Sequence, residues 1–205
     1  MLAVAFVQLA LLAEPSVARC PRTPIHVASE AHPTVPDGTH PTHDHVTVVL
    51  DLSSDGRVRR AAISESSGDP AVDRATLAAS EQQRFDMPTF SCITFSTTFA
   101  ERFDLPKELV PSPSPSAAPV PVCGTPFVTP SGLSPSERPP RGTASIDVDL
   151  DAAAHVDGAR IVQSSGNAET DRVALAAARA SGYAFIPFAG CPPAATTYRL
   201  DLTFR

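Results

Sequence analysis

From Val46 to Leu52 the chain is almost unbroken in β-branched and apolar residues, and the run stops at Ser53-Ser54-Asp55-Gly56. The Asp-Gly step supplies the positive φ of a tight hairpin turn, so Val46–Leu52 reads as the first strand of a hairpin. The second strand starts at Val58 and runs through Ala61 and Ile63. Its apolar parity slips by one between 58 and 61, as a bulge would make it do. Ser66-Ser67-Gly68 breaks the strand, and Asp69-Pro70 then sets an N-cap acceptor before a proline suited to the first helical position. The strong helix formers from Ala71 to about Gln83 predict a helix. Phe85-Asp-Met-Pro88 is an aromatic-then-proline exit, and a last strand is expected over about 93–103.

The same pattern returns. Shifting the sequence by 98 positions aligns residues 47–79 with 145–177 without a gap, and 13 of these 33 positions are identical, among them Ser66-Ser67-Gly68 with Ser164-Ser165-Gly166 and Asp73-Arg74 with Asp171-Arg172. One inserted residue changes the offset to 99, which aligns Pro88 with Pro187, Cys92 with Cys191 and Thr97-Thr98-Phe99 with Thr196-Thr197-Tyr198. In the second copy Ile146, Val148 and Leu150 alternate with Asp147, Asp149 and Asp151, so one sheet face is wet. Asn167 caps an alanine-rich helix to Ala180, Tyr183-Ala-Phe185-Ile-Pro187 is its exit, and a closing strand is expected over about 194–204. The expected fold class is α+β: two small domains, each a three-stranded antiparallel sheet with one helix packed on it.

Composition adds boundaries. Eleven of the 22 prolines fall between Pro106 and Pro140, too densely for helix or central-strand hydrogen bonding, which marks residues 106–141 as a linker and lead-in between domains at 19–105 and 142–205. Residues 2–13 are a 12-residue apolar run followed by Ser16-Val17-Ala18, so residues 1–18 read as a signal peptide rather than a spanning helix and the chain as exported. No Lys or Arg precedes that run, which leaves open an upstream start and an inner-membrane anchor. A formal charge of −6 lacks the positive field that attracts phosphate backbones, so nucleic acid is not an expected partner. Cys20, Cys92, Cys123 and Cys191 do not have metal-knuckle spacing. The duplication favours the bridges Cys20–Cys92 and Cys123–Cys191, each worth about 4 kcal/mol in the loop-entropy account.

Asp55-Gly56-Arg57-Val58, Ser66-Ser67-Gly68-Asp69-Pro70, Asp73-Arg74-Ala75, the aromatic-x-x-Pro exit and the closing apolar strand resemble the TonB carboxy-terminal domain family, over about 46–103 and again over 144–205. The resemblance implies a periplasmic module of an energy-transducing protein that pairs a sheet edge with an extended segment of an outer-membrane receptor. Three departures stand against a complete transducer. The chain shows no full-length anchor, its proline stretch lies between the domains, and the approach to each first strand lacks a Tyr-Pro segment. Ala153-Ala154 also replaces the turn Asp-Gly in the second copy.

A sheet closed by a carboxy-terminal strand leaves an edge of unpaired backbone groups, a template for an added strand. The expected binding edge is therefore Thr197, Tyr198, Leu200, Leu202 and Phe204 in the second copy and Phe95, Phe99 and Phe103 in the first, unless the apolar members fill the core instead. His40, His43 and His45, with Asp44 and the nearby His32, could ligate a divalent metal, but the Pro/Gly-rich surroundings favour a solvated loop, and no metal is assigned. Ser66, Ser67, Ser164 and Ser165 sit at strand-to-helix turns where a nucleophile could gain from helix amides. His155 has no counterpart in the first copy, so no shared triad forms and no catalytic residue is assigned. Asp73 and Asp171 read as helix-dipole or ion-pair groups. The sequence thus points to an exported, non-enzymatic binding module with a protein partner, no cofactor and no small-molecule substrate, or else to a secreted structural factor built of repeats with no transport role.

Overall fold

A computed structural model of the 205-residue chain describes residues 23–90, 92–106, 123–133, 135, 139–188 and 191–205. The expected signal peptide, Cys20 and most of the proline-rich stretch lie outside the described residues. Within them the architecture is α+β, with two helices and four antiparallel sheets.

Two hairpins organise the chain. In the first unit β2 (His45–Leu52) pairs with β3 (Val58–Glu65), and β2 pairs on its other side with β7 (Thr97–Asp104), giving the sheet order β3-β2-β7. The β2–β3 turn is closed where Gly56 takes φ +80°. A Cβ on Gly56 would lie 1.8 Å from the Phe85 carbonyl oxygen, so only glycine fits there. Helix α1 (Pro70–Ser80) starts at Asp69, whose side chain accepts from the Ala71 amide with Pro70 in the first turn. Val46, Val48, Leu50 and Leu52, every second residue of β2, are fully buried under it together with Val72.

The second unit repeats this order. Strand β9 (Gly142–Leu150) lies between β10 (Val156–Gln163) and β12 (Thr196–Phe204), and α2 (Ala168–Ala180) is capped by Asn167, which accepts from the Glu169 and Thr170 amides. Ala144, Ile146, Val148 and Leu150 are the buried row, at the same parity as in β2. Both units contain the bulge that the parity slip implied. Leu52 pairs with Val58 and Asp51 with Arg60, leaving Arg59 unpaired; Leu150 pairs with Val156 and Asp149 with Gly158, leaving Asp157 unpaired.

Asp73 and Asp171 lie in the first turns of α1 and α2, where the helix-dipole reading puts them, and have a further local role. Each carboxylate clamps the preceding Ser-Ser-Gly turn: Asp73 accepts from both the Ser66 and Ser67 hydroxyls and from the Ser67 amide, and Asp171 accepts from the corresponding groups of Ser164 and Ser165. The four serine hydroxyls are thereby spent on holding the strand-to-helix turn.

Two further features fall outside the sequence pattern. A two-stranded sheet flanks each unit: β1 (His26–Ser29) with β4 (Arg84–Asp86), and β8 (Phe127–Ser131) with β11 (Gly182–Ile186). The aromatic exits of the helices are thus strands, and they place Phe85 edge-on to Phe99 at 5.7 Å and Tyr183 edge-on to Tyr198 at 6.0 Å. The single strand expected over 93–103 is in fact two. Strand β6 (Ile93–Phe95) pairs with β12 of the second unit, β7 pairs with β2 of the first, and the chain passes from one sheet to the other at the buried Ser96. With β5 (Thr89–Phe90) hairpinned onto β6, the second unit's sheet grows to the five-stranded order β10-β9-β12-β6-β5.

Candidate partner-binding edge

The closing strand β12 was expected to offer an open edge, and the structure covers it. On one side it pairs with β9 along its whole length. On the other, Leu202, Thr203 and Phe204 pair with Phe95, Thr94 and Ile93 of β6. Upstream, the Asp201 carbonyl accepts from the Ser96 amide at 3.0 Å, the Asp201 amide donates to Ser96 Oγ at 2.9 Å, and the Arg199 carbonyl accepts from Arg59 at 3.0 Å. Past its end, the Arg205 amide donates to the Cys92 carbonyl. From Arg199 to Arg205, the outward backbone groups of this strand are bonded to the first unit. Tyr198, Leu200, Leu202 and Phe204 point into the core, and Thr197 is exposed with its hydroxyl on Asp149. Phe95 packs against the second unit's core, not its own.

The counterpart strand β7 is different. It pairs with β2 from Thr97 to Asp104 without a register shift, whereas the β2–β3 ladder shifts at both ends. The Leu105 amide donates inward to the Asp44 carbonyl, so alternation along the strand turns the amides of Thr98, Ala100, Arg102 and Asp104 outward. Near its start β8 lies alongside, with the Thr98 hydroxyl donating to the Val128 carbonyl at 2.6 Å. Beyond Thr98, no strand among the described residues pairs with the outer edge of β7. Phe99 and Phe103 are half-buried against the first core, beneath this edge.

Two consecutive arginines on β3 hold the units together. Arg59, freed from the ladder by the bulge, reaches Asp51 at 2.7 Å on its own sheet and Asp201 at 3.1 Å on β12. Burial pushes the Asp51 carboxyl up, and the Arg59 charge opposes that push. Arg60 donates to the Thr125 and Pro126 carbonyls and sets its guanidinium 3.8 Å from the centre of the Phe127 ring. Neither residue was singled out from the sequence, although a signal existed: the second copy has Asp157-Gly158 at these positions, so the arginines are not part of the shared building plan.

The histidines do not converge. The His40 backbone amide donates to Asp69, His43 contacts Thr42, His32 faces Glu30, and His45 lies between Asp44 at 2.7 Å and Glu65 at 3.2 Å. His155 is folded back onto Asp151. Cys123 and Cys191 form a disulfide with a Cα–Cα distance of 5.4 Å, and Cys92 is disulfide-bonded; Cys20, its expected partner, lies outside the described residues. No helix among the described residues is long and apolar enough to cross a membrane.

An edge strand with a regular ladder on one side and no paired strand on the other among the described residues is the kind of surface to which an extended segment can add. Residues 41–105, which span β2 to β7, match the family model for the Gram-negative bacterial TonB protein C-terminal, so this part of the chain is similar to a TonB C-terminal domain. Domains of that family are periplasmic, non-enzymatic and serve protein interaction. No curated protein and no solved structure matches the chain.

Proposed function

We propose that this chain is an exported periplasmic binding module associated with energy-dependent outer-membrane transport, and that it captures an extended partner segment along the outer edge of β7. The second unit, read as a diverged copy of the same TonB C-terminal-like domain joined through the proline-rich stretch, acts as a brace. The carrying observation is the contrast between the two closing strands: among the described residues the unshifted edge of β7 is unpaired beyond Thr98, while the edge of β12 is filled by the chain itself. An added strand gains backbone hydrogen bonds at an edge whose amides have no ladder partner among the described residues, and Phe99 and Phe103 supply apolar surface to its alternate side chains. A secreted repeat protein with no transport role is the competing reading, favoured by the self-filled β12 edge.

The test is hydrogen exchange on β7 with detergent-solubilised outer-membrane receptors added. Protection of the 100–104 amides is expected, and it is expected to vanish in Ala100→Pro. That proline removes an outward amide and leaves the β2 ladder intact, as edge positions tolerate. Unchanged exchange with receptor present would remove the transport reading. Protection that survives in a folded Ala100→Pro protein would remove the edge mechanism.

A further inference from the structure

The row of β7 that faces α1 contains one ionisable residue. The ladder sets Phe99 opposite Leu50, Glu101 opposite Val48 and Phe103 opposite Val46, and residues directly opposite share a face, so Glu101 lies on the side of the buried valines. Gln83, just past α1 and 2% exposed, donates Nε2 to Glu101 Oε1 at 3.2 Å. The other oxygens of both groups, Gln83 Oε1 and Glu101 Oε2, are buried and find no partner among the described residues. An ionised carboxylate has no hydrogen to give, so a charged Glu101 would leave two buried acceptors unsatisfied beside one another's side chains. One proton removes both deficits, because a carboxylic acid and a primary amide are flat groups with complementary donors and acceptors.

We infer that Glu101 is held as the neutral acid, with Oε2–H donated to Gln83 Oε1, closing a two-bond acid–amide pair that latches β7 to the segment after α1. The surroundings agree. Burial pushes the Glu101 carboxyl up, the Gln83 amide opposes this, and the nearby Glu30 carboxylate, from the segment after β1, pushes it further up. Arg84, adjacent to Gln83, spends its guanidinium on the Gln83 main-chain carbonyl. Arg102 lies in the other row of the strand, with Asp104. The latch faces inward and does not depend on whether the outer edge of β7 docks a partner.

An acid whose folded-state value is raised stabilises the fold below its ordinary value, and the contribution is lost as pH rises through the folded value. Each unit of elevation is a tenfold change in the folding constant. Carboxyl-carbon NMR titration of the full chain, with Glu101 assigned by its absence in Glu101→Gln, is expected to give a midpoint above the ordinary glutamate value of about 4.3. A midpoint at or below that value overturns the inference. Glu101→Gln keeps a donor for Gln83 Oε1 at every pH and is expected to flatten the loss of stability as pH rises above the ordinary glutamate value. A folded Glu101→Gln protein with the native pH slope also overturns it. Should that variant not fold, the titration of the native chain decides.

Discussion

The two halves of this molecule share a backbone plan down to single residues and differ in what they do with their edges. Strands β3 and β10 bulge at the same position, Asp73 and Asp171 clamp the same turn, and the buried rows of β2 and β9 have the same parity. At the bulge, however, the first half carries Arg59, which crosses to Asp201, and the second carries Asp157. Between helix and closing strand the first half adds the β5–β6 hairpin, which fills the edge of β12, and among the described residues the second makes no return contribution of that kind to β7. The Ser-Ser-Gly turns and the aspartates that clamp them are identical in the two halves, whereas the arginines that reach across from the bulge occur in the first alone.

The largest effect expected from breaking this asymmetry is at Arg59. Asp51 and Asp201 are both mostly buried around it, and Arg59→Ala leaves them without their cation, a loss of about 3–5 kcal/mol by the usual cost of breaking a buried pair. Asp157→Ala, at the equivalent bulge, is expected to be close to neutral. Denaturant unfolding of both variants checks the contrast, and equal losses would mean the bulge itself, not the crossing, carries the energy.

The hairpin turns come next. Gly56→Ala places a methyl against the Phe85 carbonyl, with about 1–2 kcal/mol of left-handed strain and about 1–3 kcal/mol of overpacking. Ala154, already at φ +64° in the second half, shows that the equivalent turn there accepts a side chain. Ala154→Gly is accordingly expected to shift stability by less than about 1 kcal/mol, because relief of strain and added chain entropy oppose each other. Thermal unfolding of the two variants gives the comparison directly.

The smallest effect is electrostatic. The Ser164 hydroxyl, followed by the Ser165 hydroxyl and amide, holds the Asp171 carboxyl below the usual range. A lowered folded-state value contributes stability above the ordinary aspartate value and loses it as pH falls through the folded value. Asp171→Asn is expected to make the acid limb shallower in the second half, seen as weaker pH dependence of exchange in β10 and α2 below about pH 4. An unchanged acid limb would assign that dependence elsewhere.

Much of the fold could be read from local chemistry. Asp69-Pro70 and Asn167 announced the helix starts, Asp55-Gly56 the hairpin, and the parity slip at 58–61 the bulge. What could not be read depends on partners distant in sequence. Ile93-Thr-Phe95-Ser-Thr-Thr-Phe99 has the composition of one continuous strand, and nothing within it says that Ser96 will exchange one sheet for another. The candidate edge was legible to the same limited degree. The closing strands were located, but Leu200, Leu202 and Phe204 look alike whether their strand is bare or covered, and the cover comes from residues about a hundred positions earlier.

The crossing at Ser96 has a mechanical meaning. Strands β6 and β7 are consecutive pieces of one backbone with a single residue between them, each zipped into a different sheet. A pull delivered along β7 toward its start would arrive at β12 after that one residue and would load both ladders in shear, lengthwise across their rungs. The braced half would thus share any tension taken up by the exposed one.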